Sequence, residues 1–197
     1  RRDPQRQQPA MQSLSGASDV RSSVDYNQAQ RTFEVQRIRA TFRSEAPLET
    51  INGLTNEGSG SIRVDPSNLS SASGTITIPV RTLRTGIELR DEHLVGPEWL
   101  DAGNHPNATF EITGVSGASS LQANQDVNLR VTGRFTIHGV TKNVTARLRV
   151  RWDGGSTLRA RAQFQIELDD YNVSINPAVQ AKVSNEITIQ VDIRAST

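Results

Sequence analysis

Cysteine is absent from the 197 residues, so no disulfide staples the fold, no thiolate serves as a nucleophile, and a Cys-ligated zinc is excluded. Lysine is nearly absent: Lys142 and Lys182 are the only two, and arginine carries the rest of the positive charge. Large aromatics are scarce, at 5 % of the chain, so an interior must be packed mainly by aliphatic side chains. No run approaches the ~20 apolar residues that cross a bilayer as a helix, and no apolar stretch of signal-peptide kind follows the basic start. Excess charge of one sign is missing as well. Twenty-two basic against 21 acidic residues leave a formal +1, too even for the electrostatic footprint of a dedicated nucleic-acid binder. The sequence also has no G-x-S-x-G elbow and no glycine-rich phosphate loop, which removes the commonest hydrolase and nucleotide-binding signatures.

What is present is alternation. Residues 1–30, rich in Gln, Ser and Arg, show no apolar period and read as a flexible tail. From residue 31 to 197 the length and the 35 % hydrophobic content suit one core and one domain. There the period is two. Ile76, Ile78 and Val80 share a face; so do Val127, Leu129, Val131, Phe135 and Ile137; so do Val144, Ala146, Leu148, Val150 and Trp152. The same holds for Leu158, Ala160, Ala162, Phe164, Ile166 and Leu168, and for Ile187, Ile189, Val191 and Ile193. Thr, Arg, Gln and Asn fill the opposite faces, as expected of antiparallel strands with one wet side. With further runs at 33–42, 48–55, 61–64 and 108–115, eight or nine strands are expected, separated by turn signals at 64–68, 138–142 and 152–156.

One stretch departs from this period. Between Thr82 and Pro106 the apolar residues Leu83, Ile87, Leu94 and Trp99 are spaced closer to a helix, and Pro97 suits the first turn of a short second helix. An antiparallel all-β chain hides its sheet edges by closing into a barrel or by stacking two sheets. At about eight strands a barrel interior holds its own side chains or one slender ligand. The shortage of aromatics favours the ligand.

The motifs "RDEHL" at Arg90–Leu94, "WLDAGNHPNATFEI" at Trp99–Ile112 and "VTGRFTIHGVTKNV" at Val131–Val144 occur in this order, behind an upstream stretch "APLETINGLTNEGSGSIRVDPSNLSSASGTITIPV". In these residues the chain resembles the YceI-like family of polyisoprenoid-binding, lipocalin-like proteins, over roughly residues 31–195. It departs from the family pattern at "AQRTFEV", where many members carry a His-Ser pair, and at "LDDYNVSI". The resemblance implies an extended antiparallel eight-stranded barrel with a helical insertion near its mouth. It also implies an isoprenoid lipid or isoprenoid quinone as ligand and a periplasmic or secreted location. A chain that opens on Arg-Arg-Asp-Pro-Gln instead of Met agrees with removal of an export leader.

An isoprenoid tail is recognised chiefly by burial, at about 0.8 kcal/mol per methylene-sized group. The expected lining is Ile76, Ile78, Phe110, Ile112, Leu129, Val131, Phe135, Ile137, Leu148, Val150, Phe164 and Ile166. Arg90 lies where it could meet a polar head, or pair with Glu88 or Asp101, and Trp99 where it could lid the pocket or fasten the helix. His93 and His105, near Asp91, Glu92 and Asp101, match no metal-binding spacing, so neither a metal nor a cofactor is assigned. Asp169 and Asp170, adjacent on an expected strand end, would face opposite ways and make no acid/base pair. No enzymatic chemistry is therefore expected. Two readings from other classes remain: an envelope interaction module with a filled barrel or sandwich, and a metal-assisted enzyme using the three histidines. Pairing of two barrels into a homodimer stays open.

Overall fold

The computed structural model describes residues 29–197. The tail expected over 1–30 lies, but for its last two residues, outside the described residues. Nine strands follow: β1 (Arg31–Glu45), β2 (Thr50–Thr55), β3 (Ser59–Asp65), β4 (Asn68–Pro79), β5 (Asn107–Ser116), β6 (Asp126–Ile137), β7 (Val140–Trp152), β8 (Thr157–Glu167) and β9 (Glu186–Ser196). One short helix, α1 (Glu88–Leu94), lies in the insertion between β4 and β5.

Consecutive strands from β3 to β9 pair antiparallel, and β9 returns to β1, so the sheet closes on itself. The closed barrel has eight strand positions because β2 and β3 share one. Ala40 to Glu45 of β1 pair with β2, while Arg31 to Glu34 pair with β3 on the same edge. The long β1 thus templates two short strands laid end to end. Closure pairs every strand and leaves the outer edge of the short β2 as the edge without a strand partner.

Period-two patterning places the Val, Ile, Leu and Phe set inside and the arginines outside. On the outer wall the register aligns Arg151 with Arg159, Arg159 with Arg194, and Arg194 with Arg37. Asp126 takes both Arg149 and Arg151, and Asp192 takes Arg161. The two arginines hold the Asp126 carboxyl below its usual range.

The antiparallel order sends the two longest connections, 80–106 and 168–185, to one end. The β1–β2 turn, the insertion of 80–106, the β6–β7 hairpin and the segment 168–185 lie there, whereas the other end carries the turns at 66–67 and 153–156 and the loop 117–125. At that second end Phe33, Val64, Leu69, Leu121, Val150 and Leu158 are buried together. The 117–125 loop folds over as a plug, with Leu69 N donating to Ser119 O at 2.9 Å and Leu121 N to Pro66 O at 2.7 Å. Arg31 stacks on Trp152, 5.6 Å from the ring centroid, and reaches the Gly155 carbonyl at 2.9 Å.

Three sequence expectations are corrected. Pro97 starts no second helix: residues 95–100 are turns, in which Leu100 N donates to Leu94 O and Ala102 N to Val95 O, so the chain reverses as soon as α1 ends. Asp169 and Asp170 do not sit on a strand, because the chain coils into a 3-10 turn at Leu168–Tyr171 once β8 leaves the barrel. The β6–β7 turn is also tighter than the 138–142 signal. His138 and Gly139 form it alone, both with positive φ (54° and 71°), as the twist of a two-residue hairpin requires.

Candidate functional site

The interior is not filled. A cavity of about 550 Å³ runs along the barrel, from Val64, Leu69 and Leu121 at the plugged end to Leu83, Trp99 and Val183 at the other. It divides the buried side chains into two clusters, one around Phe33 and Leu129, the other around Phe135 and Phe164. Ile112, Leu148, Val191 and Ile193 face inward yet stay only half-buried, since they line the void instead of meeting partners across it. The filled barrel that an interaction module would need is therefore not what this chain builds.

All twelve aliphatic and aromatic residues named from the sequence face this cavity: Ile76 and Ile78 from β4, Phe110 and Ile112 from β5, and Leu129, Val131, Phe135 and Ile137 from β6. Leu148 and Val150 from β7 and Phe164 and Ile166 from β8 complete the set. Phe110, Phe135 and Phe164 cluster with ring centroids 5.8 and 5.1 Å apart. Phe110 leans over Gly133, where a Cβ would lie 2.5 Å from its ring, so glycine there is what admits the ring. Further lining comes from Ile187, Ile189, Val191 and Ile193 of β9 and from Phe42 and Ile51 of β1 and β2. The β9 set was legible as an apolar face. That β9 closes against β1 was not.

The exposed residues among the lining, Ile87, Leu89, His93 and Lys182, all belong to the end that carries the insertion, which is therefore the mouth. Seven residues are too few for a self-standing helix, and α1 is held by side chains. Arg90 Nη1 donates to Glu49 Oε1 at 2.7 Å, its Nε to Thr85 Oγ1 at 2.8 Å, and its Nη2 to Thr85 O at 3.1 Å. Asp91 Oδ1 accepts from Thr85 N at 2.7 Å and from its hydroxyl at 2.6 Å. Arg90 thus lines the cavity and pairs with Glu49, a residue of the β1–β2 turn, and not with Glu88 or Asp101 as expected. Trp99 lines the cavity and packs half-buried on the second core cluster.

The insertion also covers the outer edge of β2, which the barrel leaves unpaired. Leu54 and Arg84 exchange backbone hydrogen bonds of 2.9 Å each way, and the Thr55 and Thr82 hydroxyls meet at 2.7 Å. Around the mouth three large apolar side chains stay exposed: Leu48, Ile87 and Leu89. Tyr171, buried within segment 168–185 with its ring 5.7 Å from Phe135, has its hydroxyl pKa pushed up to about 12 by burial and by the nearby Asp170 carboxylate. Among the described residues no helix is long and apolar enough to cross a membrane.

The histidines separate differently from their order in the sequence. His93 stands on α1 at the cavity rim, while His105 and His138 meet outside the cavity, beside Asp101.

Comparison with known proteins agrees with this architecture. The YceI-like domain matches residues 21–195. A UPF0312 protein of Pseudomonas paraeruginosa is 33 % identical over 135 residues, which cover 65 % of this chain and 67 % of the relative. Protein YceI of Salmonella arizonae is 32 % identical over the same length and the same shares. Among solved structures, Burkholderia cenocepacia BcnA superposes with a TM-score of 0.70 at 24 % identity, covering 81 % of this chain and 96 % of that one. A polyisoprenoid binding domain from Saccharophagus degradans, implicated in plant cell wall breakdown, gives 0.69 at 14 % identity over 84 % and 98 %.

Proposed function

The chain belongs to the YceI-like family, and from that premise we propose that it is a non-enzymatic carrier or sequestering protein for an isoprenoid lipid, a polyisoprenoid or an isoprenoid quinone. The tail lies in the barrel and the polar head stays at the mouth, beside α1. The observation that carries this reading is the 550 Å³ cavity, walled mainly by Val, Ile and Leu with a few aromatic rings. That volume lies within the range of small-molecule sites, about 300–1,000 Å³. Its chemistry suits a branched hydrocarbon: each five-carbon unit buried contributes about 4 kcal/mol, so a few units outweigh the ~4–15 kcal/mol cost of association. The scarcity of polar atoms along the wall leaves no hydrogen bond to orient a polar ligand deep inside.

We assign its action to the periplasm or the cell exterior, as the resemblance of its motifs to the family implies; fractionation of the native host checks this. Binding itself is tested on protein purified without detergent. Organic extraction and mass spectrometry are expected to yield an isoprenoid, and the emptied protein to take up geranylgeraniol or an isoprenoid quinone in preference to a straight-chain fatty acid. No extractable lipid together with no uptake would end the proposal. Preferential uptake of the fatty acid would replace the isoprenoid with another lipid class.

A further inference from the structure

Three side chains with metal-ligating chemistry converge just outside the cavity wall, and the lipid reading uses none of them. The mouth insertion ends in a tight loop in which His105 N and Asn104 N both donate to Asp101 O, at 2.8 and 3.1 Å. That loop sets Asp101 and His105 side by side. The β6–β7 hairpin brings His138 against them, with the two imidazole centroids 5.3 Å apart and their planes at 72°. One donor atom from each of Asp101, His105 and His138 lies within 4.8 Å of the other two.

Each of the three is positioned by the backbone around it. His138 Nδ1 is 2.8 Å from the Tyr171 carbonyl oxygen, which can only accept, so Nδ1 carries the proton and Nε2 of the neutral ring is left with a free lone pair. A ring N–H given to a backbone carbonyl is the usual device that orients a metal-ligating histidine. Asn104 Nδ2 donates to Asp101 Oδ2 at 2.9 Å and leaves Oδ1 available. The His105 ring rests on the hairpin at Gly139, where a Cβ would lie 2.5 Å from Cε1. Only glycine there lets the ring approach.

We propose that Asp101, His105 and His138 form a binding site for one divalent first-row transition ion of the zinc type, with two imidazole nitrogens and one carboxylate oxygen as ligands and a remaining position for water. Two nitrogens and one oxygen suit a borderline ion, whereas magnesium and calcium require more oxygens. Donors about 2.0–2.1 Å from a tetrahedral zinc stand a little over 3 Å apart, so the side chains need only a small closing movement. The bound ion ties the end of the mouth insertion to the β6–β7 turn. Binding involves no redox step, and neutral imidazoles release no proton.

The test uses the full chain, free of any affinity tag and stripped with chelator, and needs no lipid. Calorimetric titration with Zn²⁺ is expected to give one ion per chain, and Co²⁺ to give the visible absorption of a four- or five-coordinate site, with Mg²⁺ silent. Saturating zinc raises Tm by roughly 5 °C or more at 100 times the Kd. His105→Gln and His138→Asn together weaken zinc binding at least 100-fold and abolish the Tm rise, while Asp170→Asn, in the exposed carboxylate group at the end of β8, leaves both intact. Asp101→Asn, which tolerates the left-handed backbone there, serves if the histidine variants do not fold. On the unmodified protein, nitrogen NMR of the rings is expected to show Nε2 of His138 shifting on zinc addition while Nδ1 keeps its proton. A titration without a saturable step, a zinc site that the double variant retains, or a His138 ring that does not respond would overturn the site.

Discussion

The two ends of this barrel are built from the same alternating strands and behave as opposites. The base is closed by short turns, a nine-residue plug at 117–125 and a set of side chains that meet one another. The mouth is framed by the insertion of 80–106 and the segment 168–185, carries the left-handed Asp101, His138 and Asn172, and exposes Leu48, Ile87 and Leu89. Both ends bury side chains against one another, Phe33 at the base and Val80, Tyr171 and Val173 near the mouth, while those along the cavity wall leave space between them. The base is thus sealed and the mouth is where exposed side chains reach the cavity, although both ends are stitched by one continuous hydrogen-bonded sheet.

The comparison breaks most decisively at the base. Phe33, fully buried, is expected to cost about 3–5 kcal/mol on conversion to alanine, seen as a lowered midpoint in denaturant. A mouth residue of similar size, Trp99, would cost less because one side of it already faces the void. Filling the cavity separates the two properties: Ala160→Phe, on the wall, is expected to abolish lipid uptake while moving stability by no more than about 1–3 kcal/mol. Uptake that survives this change would mean that the ligand does not use the barrel.

The ends should also titrate in opposite directions. At the base, Asp126 is held below its usual range by Arg149 and Arg151, and Asp153 by the Gly155 and Thr157 amides. A depressed carboxyl contributes stability above its unfolded value, near 4, that is lost as pH falls through its folded value. Near the mouth, Tyr171 is raised to about 12. Its contribution is complete below an ordinary tyrosine value of about 10 and is lost as pH rises through 12. Hydrogen exchange is thus expected to loosen the β6–β7 base first in acid and segment 168–185 first in alkali. Tyr171→Phe should remove the alkaline step, and loss of both regions together at either extreme would refute the division. The smallest effect is expected at Arg90→Gln. Its pair with Glu49 is partly exposed, so stability falls by about 1 kcal/mol or less, yet α1 loses its anchor and lipid exchange, followed by stopped-flow transfer, should quicken.

Much of the wall was legible from period two alone, because an inward face of Ile, Leu, Val and Phe is the same signal whether the face meets a partner or a void. The twelve wall residues named from that signal all point inward. The shared position of β2 and β3 could not be read, since the break is decided by how β1 divides its edge between them. Arg90 was read with neighbours on its own segment, but its partner Glu49 comes from a turn 41 residues earlier. His105 and His138 gave no spacing signal for the same reason: sequence distance says nothing about strands that the sheet order places together. The reversal after Leu94 was hidden by Pro97, which starts turns as readily as helices.

The plug at the base also fixes the order of events for anything that occupies the tube. A channel open at both ends lets one molecule push another through; a blind one admits its guest by a single end and must release it by the same route. A long hydrocarbon would therefore go in tail first and come out head first, and any length beyond the depth of the barrel would stay outside. Such a vessel would act as a depth gauge, distinguishing guests by how much is left protruding between Leu48, Ile87 and Leu89. Moving the floor by altering Leu69 or Leu121 would reset that measure without touching the mouth.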